Sequence, residues 1–212
     1  MTNLHLPVRK SVCELSLALL LPLLNGCGST PDTMDTEEAL DIVFDYVARI
    51  DSSQYKIYEL HLYDDGEGSN NLDMVSMKLI GHNDSCYEYT IHRSYGSSDA
   101  QIKPNTPSTV RGFTFGNARR IDFDSERRFI LPNIGKMKEQ IPEGNEFQSV
   151  GYYAITCRPG DELYHVVTLD LDGKGVHTRH ISRRSPLKTD YREMHGIMRE
   201  GKELEIKIDK IE

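Results

Sequence analysis

Four carboxylates in one short stretch are the side chains best suited to bind a metal cation. Asp64, Asp65, Glu67 and Asp73 follow a predicted strand, and two asparagine amides lie among them. Carboxylate and amide oxygens are the ligands that calcium prefers. Two glycines in the same stretch are equally typical of a solvated, turn-rich loop. These four residues are therefore candidate ligands of a weak cation site, and a solvated loop is the alternative.

The histidines and hydroxyl side chains show no spacing typical of a catalytic site. His177 and His180 lie three apart on a predicted strand, so their side chains point to opposite faces and do not share one ion. The chain contains no His-Glu-x-x-His motif and no Gly-x-Ser-x-Gly motif. We therefore predict no catalytic residues and no cofactor.

Cys86 and Cys157 are the two cysteines that follow the amino-terminal region. An exported protein can join two such thiols in a disulfide. The bond requires that the two Cα atoms lie close together, which sequence does not report. A Cys86–Cys157 bridge is therefore one expectation, and two separately buried thiols are the alternative.

The first 30 residues have the layout of an export signal. Arg9 and Lys10 precede an apolar run, Leu15–Leu24, and small residues follow it. This run is about half of the roughly 20 residues that a membrane-spanning helix needs, so we expect no permanent span. The layout predicts a signal peptide that ends at a small residue.

The end of this signal, Leu24-Asn25-Gly26-Cys27, resembles the lipobox of bacterial lipoproteins. It departs from the usual pattern at Asn25, where a smaller residue is commoner. In that family the cysteine thiol is lipidated, the peptide is cut before it, and the new amino end is acylated. The resemblance implies a signal peptide over residues 1–26, lipidation at Cys27 and a tether over residues 27–34. An ordinary cleaved signal with an incidental cysteine is the alternative.

Composition limits the partners of the remaining chain. The 212 residues carry a formal net charge of −8. Nucleic acids and anionic lipid headgroups attract clusters of Lys and Arg, so an acidic chain is a poor candidate for either. We therefore expect no nucleic-acid partner, and contact with the membrane only through the lipid.

Apolar periodicity predicts a helix followed by strands. Asp35 is the expected N-cap of the helix, with Glu38 completing a capping box. The apolar residues from Leu40 to Ile50 recur at helical spacing. Strands are predicted over 54–63, 74–80 and 86–92, where apolar and polar residues alternate. The turn residues of 81–85 predict a hairpin between the last two strands.

The second part of the chain shows a similar order of elements. Further strands are predicted over 110–115, 120–123, 147–157, 165–171, 176–182 and 204–209, a short helical stripe over 134–141, and a polar loop over 183–202 with a helical turn at 191–198. These elements predict an α+β fold, with one or two antiparallel sheets and one or two helices packed on one face. A tandem α-β-β-β repeat with halves 35–123 and 124–212 is one interpretation of the body, 35–212. Chance similarity of the halves is the other.

These observations predict a non-catalytic lipoprotein that binds a protein or an envelope component through the solvent-facing side of its sheet. Its lipid would anchor it to the cell membrane or the outer membrane, with the body in the periplasm or outside the cell. Two alternatives stay open: a lipoprotein that is an enzyme or binds a small ligand or cation, and an inhibitor or immunity-type protein.

Overall fold

Seven strands and two helices form the part of the chain that the computed structural model describes, which comprises residues 33–64, 69–93, 108–173 and 192–208. The elements, in chain order, are α1 (Glu37–Ala48), β1 (Tyr55–Asp64), β2 (Leu72–Gly81), β3 (Cys86–His92), α2 (Phe123–Lys138), β4 (Asn145–Thr156), β5 (Tyr164–Gly173), β6 (Arg192–Arg199) and β7 (Leu204–Ile208). Neither helix is long and apolar enough to cross a membrane.

The seven strands form one antiparallel sheet with the order β3-β2-β1-β4-β5-β6-β7. β1 and β4 pair at its centre, where Leu60 lies opposite Ile155 and Leu62 lies opposite Tyr153. This pairing joins the first three strands to the last four. The architecture confirms the predicted α+β class, with more of the described residues in the sheet than in the helices.

The core lies between the two helices and one face of the sheet. Strand alternation directs every second side chain to this face, and the apolar stripes of the helices cover it. The most deeply buried members, each at most 2% exposed, include Leu40 and Val43 of α1, Ile130, Ile134 and Met137 of α2, and Leu60, Leu62, Val75, Met77, Leu79, Tyr153, Ile155, Val167, Leu169 and Met194 of the strands.

The predicted N-cap of the first helix is wrong by one residue. Thr36 is the N-cap, and its hydroxyl accepts a hydrogen bond from the backbone N–H of Ala39 at 3.3 Å. Asp35 has other partners, because its carboxylate contacts Lys138 and accepts a hydrogen bond from the amide of Asn70 at 2.6 Å. The acidic side chain therefore connects α1's entry to the end of α2.

The two strands predicted over 110–115 and 120–123 are wrong. Residues 109–122 contain turns and coil, and Phe123 is the first residue of α2. Asp122 caps this helix, because its carboxylate accepts hydrogen bonds from the backbone N–H and the hydroxyl of Ser125. Ile121 and Phe123 both face the core beside α1. Because they are two positions apart, they give the same apolar alternation as a strand.

The helical turn predicted at 191–198 is also wrong, since residues 192–198 belong to β6, which pairs with β5 along its whole length. The strand predicted over 176–182 lies outside the described residues. β1 to β5 confirm the strands predicted over 54–63, 74–80, 86–92, 147–157 and 165–171. β7 confirms the final strand, and the turn predicted over 81–85 is also present.

Candidate functional site

The face of the sheet opposite the helices carries polar side chains at its centre. Leu60 and Leu62 of β1 point to the core, so Glu59, His61 and Tyr63 point to the other face. We call this the helix-free face. Its central cluster comprises Glu59, His61 and Tyr63 from β1, Lys78 from β2, Tyr152 from β4 and Arg158 from the turn after β4.

Glu59 is the buried anion of this cluster, with only 1% of its surface exposed. Its carboxylate accepts from the Nε atom of Arg158 at 2.5 Å and from the Nε2 atom of His61 at 2.8 Å. The Nζ atom of Lys78 lies 3.0 Å away. Burial raises the pKa of Glu59, but the hydrogen bonds from these three side chains outweigh burial and lower it to about 2. Glu59 is therefore ionised at neutral pH.

His61 connects this carboxylate to two phenols. The hydroxyl of Tyr152 lies 2.6 Å from its Nδ1 atom, and that of Tyr63 lies 3.5 Å from the same atom. Since Glu59 has no proton, the Nε2 atom of His61 donates the proton of this hydrogen bond, and its Nδ1 atom is hydrogen-bonded to the hydroxyl of Tyr152. Carboxylate, imidazole and hydroxyl thus follow each other in a single hydrogen-bonded chain.

This order is that of an acid–base relay, in which an imidazole removes the proton of a hydroxyl nucleophile. The terminal hydroxyl here is a phenol that is half-buried. Burial, together with the neighbouring Tyr63 and Glu59, raises the pKa of Tyr152 above its ordinary value. Tyr152 therefore keeps its proton at neutral pH, and its hydrogen bond to His61 restricts the position of the phenol ring.

Arg158 is the most accessible member of the cluster, with 53% of its side chain exposed. Glu59 holds the Nε atom of the guanidinium, and the terminal amino groups are the part that a partner can reach. Next to it, Tyr164 and Ile197 line a cavity of about 360 Å³ together with Arg199 and the turn of residues 160–162. The helix-free face therefore combines fixed Arg and Tyr side chains with a neighbouring concave, partly apolar surface.

The loop that precedes α2 covers one end of this face. Phe113 packs on Tyr58 with the two ring centroids 4.8 Å apart, and both side chains are buried. Cys86 and Ile80 belong to the same small cluster. The accessible part of the face is therefore the region around the central cluster and the adjoining strands β5 and β6.

None of the central cluster was singled out by sequence. Glu59, His61 and Tyr63 alternate with apolar residues, which is a signal only for a solvent-facing side of β1. Arg158 hydrogen-bonds Glu59 across 99 positions of sequence. The pairing of β1 with both β2 and β4 brings these residues together, and periodicity does not give strand order.

The predicted metal candidates are partly described. Asp64 ends β1 and Asp73 lies on β2, whereas Asp65 and Glu67 lie outside the described residues. Within the described ranges, no group of three or more His, Cys, Asp or Glu side chains is arranged to hold a metal ion. Cys27, the predicted lipidation site, also lies outside the described residues.

Cys86 and Cys157 are free thiols, and both are buried. Cys86 pairs with β2 from the outer strand β3, whereas the backbone N–H of Cys157 donates to Tyr58 of β1. Three strand spacings of about 4.8 Å therefore separate them, roughly 14 Å in all. A disulfide requires Cα atoms within about 7 Å. The strand order keeps the expected bridge from forming.

Comparison with known protein families, with curated proteins and with solved structures finds no match for this chain.

Proposed function

We propose that this chain is a non-catalytic, lipid-anchored envelope protein that binds a partner protein or envelope component through its helix-free face. The observation that carries the proposal is the buried, ionised Glu59, which fixes Arg158 directly and Tyr152 through His61. Arg and Tyr side chains held in one geometry are the residues that contribute most binding energy in protein interfaces.

Preorganisation is the physical reason why this arrangement favours binding. A free arginine or tyrosine loses rotamer freedom when a partner binds it, and this loss weakens the complex. Glu59 and His61 restrict Arg158 and Tyr152 before any partner arrives. The raised pKa of Tyr152 keeps the proton on its hydroxyl at neutral pH, so the hydroxyl can both donate and accept hydrogen bonds.

The anchor is the second part of the proposal. The lipobox-like Leu24-Asn25-Gly26-Cys27 supports lipidation at Cys27 after removal of residues 1–26. The lipid would hold the protein at the cell membrane or the outer membrane, with the body in the periplasm or outside the cell. The acidic charge of the chain supports attachment by the lipid rather than by a basic surface.

We also infer that the body is a tandem α-β-β-β repeat, with halves 35–123 and 124–212. The order of elements supports this, because α1 precedes β1, β2 and β3 just as α2 precedes β4, β5 and β6. The first strand of each half, β1 and β4, pair antiparallel at the centre of the sheet, as a twofold-related pair would. β7 is an addition to the second half.

Lipidation at Cys27 predicts a specific labelling result. In bacteria that are fed labelled palmitate, the wild-type protein is expected to incorporate label and to fractionate with membranes. The Cys27→Ser variant is expected to lose the label, because it lacks the thiol that would carry the lipid. Electrophoresis of the purified proteins measures this. Equal labelling of both would exclude Cys27 as the lipidation site.

Binding through the helix-free face predicts a specific capture result. Bacterial envelope extracts are passed over immobilised wild type, Arg158→Ala and Arg128→Ala. Arg128 is the control, because it is also an exposed arginine but lies on α2, away from the helix-free face. We expect wild type and Arg128→Ala to retain the same partner, and Arg158→Ala to retain about tenfold less, since a central arginine commonly contributes more than about 1.4 kcal/mol.

The capture experiment needs a test of folding and a quantitative comparison of the recovered proteins. Circular dichroism and urea denaturation must show that both arginine variants are folded. Quantitative mass spectrometry then compares the recovered proteins. A partner recovered equally by wild type and Arg158→Ala would contradict the proposed surface, and turnover of a substrate by the wild type alone would favour the enzyme alternative.

A further inference from the structure

A second carboxylate–imidazole–phenol chain lies on the opposite face of β4, inside the core. The Nε2 atom of His165 lies 2.9 Å from the carboxylate of Glu126 on α2, and its Nδ1 atom lies 2.8 Å from the hydroxyl of Tyr153. Asn133, also on α2, donates from its Nδ2 atom to that hydroxyl at 3.2 Å. The side chain of His165 is 0% exposed. Two residues of α2 are thus hydrogen-bonded to the sheet, Glu126 at the ring of His165 and Asn133 at the hydroxyl of Tyr153.

The direction of donation follows from the chemistry of the four groups. Asn133 donates to the hydroxyl of Tyr153, which in turn donates to Nδ1 of His165. The Nε2–H of the neutral ring then donates to Glu126. Each donor has an acceptor in this arrangement, as buried polar groups require. Only the neutral imidazole can accept at one nitrogen and donate at the other.

Protonation of His165 breaks this chain. Both ring nitrogens become donors, so the hydroxyl of Tyr153 must accept from the ring as well as from Asn133. The hydroxyl proton then loses its acceptor in a site where Tyr153 is 0% exposed and Asn133 is 2% exposed. A buried donor without a partner favours a state in which the group reaches water.

We propose that protonation of His165 weakens the docking of α2 on the sheet, which makes this contact sensitive to pH just below neutrality. The neutral ring joins the helix to β4 and β5, and the charged ring does not fit the same hydrogen bonds. Opening of α2 would give the ring access to water, where an imidazolium is well solvated.

The charges around the ring determine the sign of this effect. Glu126 is the described anion that contacts it, and it alone favours the charged ring. The cross-strand neighbour on β6, Met198, is uncharged. Arg119, which is paired with Glu200, interacts with Glu126 at a greater distance. Burial outweighs Glu126 and lowers the pKa of His165 below its ordinary value of 6.5.

Hydrogen exchange of the α2 amides tests the proposal on the full chain. When α2 opens, the ring titrates with an ordinary pKa, whereas in the closed state it remains neutral. The opening equilibrium is then expected to increase about tenfold between about pH 7.5 and about pH 5.5, after correction for intrinsic exchange rates. His165→Gln, which keeps one donor and one acceptor but does not titrate, is expected to lose this increase. His82→Gln, an exposed histidine on a turn, is expected to keep it.

A second measurement covers the case in which His165→Gln does not fold. NMR of the imidazole rings in the wild type follows each histidine through the same pH range. The proposal requires that the ring of His165 stay neutral at a pH where α2 is still protected, and that protection of residues 123–138 fall as the ring becomes charged. Titration of His165 near 6.5 with unchanged protection of α2 would overturn it, as would an equal pH response in His165→Gln.

Discussion

Replacing Glu59 with Gln is expected to destabilise the protein by about 3 kcal/mol at about pH 7. Gln has the shape of the carboxyl group without its charge, and it therefore imitates the protonated form of Glu59. The contacts with Arg158, Lys78 and His61 lower the pKa of Glu59 from 4.5 to about 2. This shift means that the folded state binds the ionised carboxylate more favourably than the neutral form. Urea denaturation followed by circular dichroism measures the difference.

The same substitution is expected to change the response to acid. Because the pKa of Glu59 is lower in the folded state, its contribution is fully present above about pH 4.5 and is lost as the pH falls towards about 2. The wild type should lose about 2 kcal/mol from this group between about pH 7 and about pH 3, whereas Glu59→Gln should lack that loss. Stability measured at both pH values gives the difference directly.

Glu143→Gln is the matched control, since Glu143 is exposed in the turn after α2. We expect it to change stability by less than about 0.5 kcal/mol and to keep the wild-type response to acid. A Glu59→Gln variant within about 1 kcal/mol of the wild type at about pH 7 would show that the three donors do not stabilise the carboxylate in the way described here.

The free-energy cost of burying Glu59 bears on the function of this face. A buried ion pair is often no more stabilising than an apolar replacement of the same size, because both charges lose their hydration. A buried carboxylate at the centre of a solvent-facing sheet surface is therefore poorly explained by stability. Its geometric effect is clearer, since it fixes Arg158, Lys78 and His61 relative to one another. This is the arrangement that the proposed binding face requires.

Alternation of apolar and polar residues was sufficient to predict most strands of the sheet. The strands near 54–63, 74–80 and 86–92 were predicted to within two residues of β1, β2 and β3, because each exposes one face to the core and the other to polar surroundings. The same pattern predicted β7. Local signals succeeded where one strand's own residues distinguish its two faces.

The second helix shows where local signals fail. α2 spans Phe123–Lys138 and contains both Pro132 and Gly135, which have the lowest intrinsic helix propensities. Only its last turns were predicted as a helical stripe. Packing of Ile130, Ile134 and Met137 on the sheet overrides these propensities, and sequence does not show that tertiary contribution.

A bulge in β1 explains part of the failure at the candidate site. The pairing of β1 with β2 shifts between Ile57 and Glu59. Strict alternation would place Tyr58 on the face of Leu60 and Leu62, but Tyr58 packs with Phe113 under the loop before α2. An extra residue in one strand leaves no periodic signal, so neither the bulge nor the cluster beside it could be predicted.

β6 was missed because its middle core position is a glycine. Met194 and Met198 point to the core, but Gly196 between them has no side chain to complete the alternation. The structure gives the reason for the glycine. A Cβ atom at Gly196 would lie 2.6 Å from the Sδ atom of Met137 on α2 and 2.9 Å from Cγ1 of Val167 on β5. The helix approaches the sheet closely at this point.

Gly196→Ala is therefore expected to destabilise the protein by about 2 kcal/mol, as overpacking of a well-packed core does. Met137 is 0% exposed, so its side chain has little room to move away from an added methyl group. The comparison variant is Gly135→Ala, in α2 itself, where an added Cβ meets no atom within 4 Å. That change should stabilise the protein by about 0.5–1 kcal/mol, because alanine favours a helix interior. Urea denaturation of both variants measures the two effects, and the same sign for both would refute the close contact between α2 and β6.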